Sequence, residues 1–125
     1  METPRFMVAG VDTASKAAFK SPDRTAYVYS DSDSDARMGA GVCEIPPGSS
    51  NSRHTHMDED EVIYVLSGRI RFEFPTESVT LQPLQAIYIE RGLEHQIFND
   101  GTTPAWHTFT FSSGDAAALI KRMYR

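Results

Sequence analysis

Apolar and polar residues alternate along most of this chain in short runs broken by turn residues, and that period of two predicts β-strands. The cleanest run is Arg69-Ile70-Arg71-Phe72-Glu73-Phe74. Ile70, Phe72 and Phe74 share one face and should line an interior, while Arg69, Arg71 and Glu73 face solvent. Pro75 ends this strand. The same reasoning predicts strands at Ala26–Tyr29, Arg37–Ile45, Glu61–Leu66, Glu77–Gln82, Ala86–Ile89, His95–Asn99 and Trp106–Phe111. Pro46-Pro47-Gly48, Pro83 and Asn99-Asp100-Gly101 punctuate them as turns. About eight to nine short strands at this spacing describe an all-β sandwich or barrel.

The two ends are patterned differently. Residues 1–24 read as an N-terminal arm, with Phe6-Met7-Val8-Ala9 as a short edge strand. Ala14–Lys20 reads as a helical turn stopped by Pro22. At the other end Ser112 and Asp115 match a capping box. Ala116–Tyr124 then predicts a short amphipathic helix with Leu119, Ile120, Met123 and Tyr124 on one face. Lys121, Arg122 and Arg125 stand where the helix dipole favours positive charge. The organisation is one domain over 1–125: the arm, a barrel over 25–111, and a closing helix over 112–125.

Ser30-Asp31-Ser32-Asp33-Ser34-Asp35 lacks the glycine and distal glutamate of a calcium-binding EF-hand loop and reads as a solvated hairpin loop. Gly39 and Gly41, inside a predicted strand, suggest a bulge or bend. Composition adds exclusions. The net charge of −5 argues against a nucleic-acid partner. No apolar run approaches a membrane span. The first ten residues carry no signal-peptide core, and the single Cys43 allows no intrachain disulfide, so a cytoplasmic location is the expectation. Cys43 lies in an apolar run and reads as core filler.

Candidate chemistry concentrates in Gly48–Gly68, GSSNSRHTHMDEDEVIYVLSG. His54 and His56, one residue apart on an extended chain, project together. Met57–Asp60 is polar enough to turn the chain, and Glu61 opens the returning strand. A carboxylate therefore opposes two imidazoles, a donor set suited to a divalent first-row metal. The stretch resembles the first motif of the cupin superfamily: Gly48, five residues, His54, one residue, His56, four residues, Glu61, six residues, Gly68. His95 and Asn99, with Gly92 before them, resemble the ending of the second motif. Leu84 stands where that motif opens on glycine, and Glu90 where it has proline. The resemblance implies a jelly-roll β-barrel holding one metal on His54, His56, Glu61 and His95. Fe, Mn, Ni, Co, Cu and Zn all accept these ligands, and four ligands on an octahedral ion leave two positions for substrate or dioxygen.

Around that site, His107 shares a face with Phe109 and Phe111 and is the candidate catalytic acid–base residue. Tyr64 and Arg53 point away, and Glu90 reads as a turn residue near the barrel mouth. In Glu61–Leu66 the outward Val62, Tyr64 and Leu66 are apolar too, so that face needs a cover. The N-terminal segment or a second subunit could supply it. The resemblance favours a homodimer. The function predicted is a metal-dependent enzyme acting on a small oxygen-bearing metabolite, of dioxygenase or of isomerase/epimerase type. The alternative is a non-catalytic small-molecule-binding or sensor protein.

Overall fold

The structure, a computed structural model, describes residues 5–20 and 23–123. Among the described residues nine strands and one α-helix follow in chain order: β1 (Ser15–Lys20), β2 (Asp23–Ser30), β3 (Gly39–Ile45), β4 (Glu61–Ser67), β5 (Ile70–Glu73), β6 (Ser78–Leu81), β7 (Ala86–Ile89), β8 (Gln96–Phe98), β9 (Ala105–Phe111) and α1 (Asp115–Met123). They form two antiparallel sheets, ordered β1-β2-β3-β9-β4-β7 and β6-β5-β8. Residues 48–56 run beside β8 as an irregular extra strand. Asn51 N–H donates to Ile97 O at 3.1 Å, and His54 and His95 exchange both backbone bonds at 3.0 and 2.9 Å. The sheets face each other as a jelly roll whose edges are not zipped into a closed cylinder. Among the described residues no helix is long and apolar enough to cross a membrane.

The core lies between the sheets and follows the alternation. Ile45, Ile63, Val65, Ile70, Phe72, Phe109 and Phe111 are all buried there, with Phe74 and Ile87 packed against them. Each such side chain contributes about 1.5–3 kcal/mol of hydrophobic stabilisation. Gly41 serves a close approach: a Cβ there would lie 2.1 Å from Tyr27 O. The irregularity its presence suggested falls on the partner strand, where the β2–β3 register shifts between Val28 and Ser30.

Several expectations about the ends need correction. Phe6–Ala9 forms no strand; its side chains are largely exposed and the chain turns at Gly10–Ala14. Ala14–Lys20 is not helical, because Ser15–Lys20 pairs residue by residue with β2 and buries Ala17. Tertiary pairing overrides a weak local helix preference. The large sheet therefore takes in residues of the predicted arm. The Ser30–Asp35 loop does join a hairpin, but it is less solvated than expected. Asp31 is buried and caps a 3-10 turn at Ser32–Ser34. Lys121 Nζ of α1 reaches Asp31 and Asp33 at 2.6 and 3.1 Å.

The helix exists but buries a different face. Ala117 and Ala118 are buried, with Ile120 and Ala116 packed beside them, while Leu119 is exposed. Small residues let the helix sit close: a Cβ on Gly39 would lie 2.7 Å from that of Ala117. Tyr124 lies outside the described residues. The capping box is also replaced. Ser112 Oγ accepts instead from Asp60 N–H at 3.0 Å. Ser113 Oγ accepts from Asp115 N–H at 3.3 Å, and the Glu59 carboxylate from Ala116 N–H at 3.2 Å.

Leu84 shows what its departure from glycine costs. Gln82–Gln85 is a tight turn closed by Gln85 N–H on Gln82 O at 3.2 Å. Leu84 occupies its third position at φ 71°. That conformation suits glycine, and a leucine there stores about 1–2 kcal/mol of strain.

Candidate metal centre

The metal-motif residues come from three parts of the fold. His54 and His56 sit on the extended segment beside β8, His95 just before β8, and Glu61 on the first residue of β4. The His54–His95 bridge places those two residues directly opposite each other, with ring centroids 4.3 Å apart. The His54 and His56 rings are 4.8 Å apart, as their shared face requires. One nitrogen from each of His54, His56 and His95 lies within 4.8 Å of the others. Glu61 Oε1 flanks this group, 3.8 Å from His56 Nε2 and 3.5 Å from His95 Nε2.

Backbone carbonyls set the imidazole tautomers. His54 Nδ1 lies 2.7 Å from Ser52 O, and His95 Nδ1 lies 2.9 Å from Leu93 O. A carbonyl only accepts, so both Nδ1 atoms carry the proton and both Nε2 atoms keep a lone pair. This is how ligating histidines are usually oriented. Glu61 Oε1 and His95 Nε2 are buried and complete no hydrogen bond. Two orphaned acceptors side by side are costly in an apolar interior. A cation between them satisfies both, so the donor set fits a divalent metal.

Electrostatics favour neutral imidazoles at two ligands. Burial pushes His54 and His56 down to about 4, and the neighbouring imidazoles add to the effect. Burial also opposes a charged His95, but the Glu61 carboxylate and the Leu93 carbonyl outweigh it and raise its pKa. The centre grades from His95, 1% exposed, to the half-buried His54 and His56, which gives a ligand a way in from solvent. Phe111 and Phe74 stand beside it, with ring centroids 4.8 Å from His56 and 6.4 Å from His95 respectively.

His107 is not part of this cluster. It pairs in register with Cys43 and Val65, whereas Phe111 pairs with Glu61. Four residues along β9 amount to roughly 13 Å, so His107 lies at the barrel floor beneath Phe109. Its Nδ1 donates to Thr108 O at 2.8 Å, and burial lowers its pKa. Cys43 beside it is buried, and desolvation pushes its thiol up to about 11, as befits core filler. Arg53 points to Glu73 and Glu94, at 2.6 and 3.3 Å, and Glu90 is an exposed turn residue. Two surface hollows of about 390 and 340 Å³ lie around Arg69 and Gln82, at the far end of β4 from Glu61.

The sequence reading missed what holds the loop between His56 and Glu61. Asp60 accepts from Arg91 N–H at 3.0 Å and from the Arg91 guanidinium at 3.2 and 3.1 Å, which holds its carboxyl down to about 2. Gly92 N–H donates to His56 O at 2.8 Å. In the sequence these acids are one polar run, and nothing local distinguishes a tether from a solvated turn.

A protein-family model described as a cupin domain matches residues 41–110. The chain is 33% identical over 72 residues to the tetracenomycin polyketide synthase protein TcmJ of Streptomyces glaucescens. That match covers 58% of this chain and 48% of TcmJ, so the chain spans about half the length of this curated relative. Among solved structures, a predicted oxalate decarboxylase from Thermotoga maritima superposes with a TM-score of 0.75 at 20% identity, over 84% of this chain and 97% of that one. The polyketide cyclase RemF from Streptomyces resistomycificus superposes with a TM-score of 0.73 at 20% identity, over 86% and 79%. At such identities the superpositions establish the fold.

Proposed function

Because the chain belongs to the cupin family, we propose that it is a metal-dependent enzyme acting on a small oxygen-bearing metabolite, by dioxygenase or isomerase/epimerase chemistry. The observation that carries this reading is the pair of buried, unsatisfied acceptors on Glu61 and His95 beside two further imidazoles. His54, His56, Glu61 and His95 would hold one divalent transition metal: Fe, Mn, Ni, Co, Cu or Zn. When bound, such an ion supplies Lewis-acid polarisation of a substrate oxygen. The likeness to a polyketide synthase protein supports a substrate rich in carbonyl or enol oxygens.

The protein's own groups do the rest. The Ser52 and Leu93 carbonyls hold His54 and His95 in the tautomer that presents Nε2. Phe111 and Phe74 give the site an apolar wall that limits water. His107 is proposed as the acid–base residue for a substrate long enough to pass Phe111 and Phe109. Its Nδ1 is committed to Thr108, so Nε2 is the atom free to take a proton. The alternative, a non-catalytic sensor, draws support from the packed interior beneath the site, where Phe72, Phe109 and Phe111 leave little room.

We further infer a homodimer in the cytoplasm. Val62, Leu66 and Tyr88 share the outer face of β4 and β7, 42%, 41% and 61% exposed among the described residues. A second copy is the cover proposed, and light scattering at micromolar concentration tests it: a monomeric mass removes the dimer. Enzyme and sensor separate when the Fe-loaded protein meets a panel of oxygen-rich metabolites with and without O₂. Oxygen uptake supports the dioxygenase branch, anaerobic turnover the isomerase branch, and tight binding without turnover the sensor.

A further inference from the structure

We propose that Glu59, together with the N-terminus of α1, is a positioning device for the metal centre: the C-terminal segment holds His56 and Glu61 at ligating distance. This inference rests on the metal-site reading above. The loop 57–60 joins two of the four ligands, so its shape sets their separation. Met57 and Asp58 are exposed. Glu59 is 5% exposed. Its carboxylate accepts from Ser113 Oγ and from Ala116 N–H, and its charge also acts on the His56 imidazole. Asp60 exchanges backbone and side-chain bonds with Ser112, both at 3.0 Å. The ligand loop is thus bonded to three residues at the start of α1.

That start is itself immobilised. Gly114 lies flush on the β2–β3 loop, where a Cβ would come within 2.4 Å of Ser32 N. Ser32 N–H donates to Gly114 O at 3.1 Å. The far end of α1 is fastened separately, by Lys121 on Asp31 and Asp33 and by Arg122 on Asp33. A carboxylate at a helix N-terminus is favourable in itself, since it meets unsatisfied N–H groups and the positive end of the dipole. Here the carboxylate comes from the ligand loop rather than from the helix. Removing it frees the loop at its midpoint and lets His56 drift from Glu61.

The test compares Co(II) binding by chelator competition, and the Co(II) d–d spectrum, in wild type, Glu59→Ala, Glu59→Gln and Lys121→Met, each shown to be folded by circular dichroism. Positioning predicts that Glu59→Ala weakens Co(II) binding by about 10–100-fold, the usual cost of losing an outer partner, and shifts the d–d bands. Glu59→Gln, which keeps an acceptor for Ala116 N–H, recovers most of both. Lys121→Met lowers the melting temperature through the far end of α1 but leaves affinity and spectrum as in wild type. A folded Glu59→Ala with wild-type affinity and spectrum overturns the inference while leaving the metal site standing. If Glu59→Ala does not fold, Ser113→Ala, which removes the hydroxyl that donates to Glu59, is measured in its place, and wild-type affinity and spectrum there overturn the inference. Wild type that binds no Co(II) overturns the metal site, and this inference with it.

Discussion

His95 and His107 are both inward-facing and both almost fully buried, yet the barrel gives them different surroundings. At the mouth, His95 meets two further imidazoles and a carboxylate, and its Nε2 and Glu61 Oε1 are left without hydrogen-bond partners. At the floor, His107 lies in register with Cys43 and Val65, within reach of the Arg24 charge, and its Nδ1 is satisfied by the next residue's carbonyl. Burial is common to the two; convergence of unsatisfied acceptors is not. A metal centre is recognised by what faces each group, and a buried histidine by itself predicts little.

The comparison breaks most sharply at the ligands. His95→Ala should lower metal affinity by more than the roughly 10–100-fold expected for loss of an outer partner, while His107→Ala should leave it unchanged, both read by isothermal titration. The floor residue should register in stability instead. His107→Ala opens a cavity in the packed interior and should cost about 2–3 kcal/mol in urea unfolding. If His107 does serve the substrate, a volume-conserving His107→Gln at full metal loading loses turnover, whereas a purely structural His107 does not.

A pH series on metal-free protein sharpens the contrast further. His54 and His56 are held near 4, below the ordinary imidazole value of 6.5, so the unfolded chain binds more protons than the folded one. Their contribution to stability is whole above 6.5 and is lost as pH falls through about 4. His95, with a raised pKa, acts in the opposite sense: it adds stability below 6.5 that disappears as pH rises. Thermal melts should therefore show net loss toward pH 4, and His56→Ala should flatten the curve. The smallest effect lies at the floor end of β4, at the strained turn whose Leu84 N–H donates to Val65 O. Leu84→Gly relieves a positive-φ leucine and should add about 1 kcal/mol, with metal binding untouched.

Much of the barrel was legible because alternation is a local signal. Ile70 and Phe72, Ile63 and Val65, and Phe109 and Phe111 all sit where a period of two puts them. The grouping of these four side chains was legible for a similar reason: i, i+2 geometry joins His54 to His56, and the motif spacing brings in Glu61 and His95. What failed depended on long-range contacts. Ser15–Lys20 is a strand only because β2 lies beside it, and Asp31 is buried only because Lys121 arrives from the other end of the chain. Glu59 in place of Ser112 as the helix cap is likewise a tertiary substitution that no local pattern encodes. His107 was placed correctly on an inward face, but a face does not specify depth, and depth separates it from the cluster.

The most direct test is metal stoichiometry by equilibrium dialysis and elemental analysis, on wild type, His95→Ala and His107→Ala in parallel. One divalent ion per chain in wild type and His107→Ala, with little or none in His95→Ala, is the predicted result. Equal metal in all three, or none in wild type, would contradict the account.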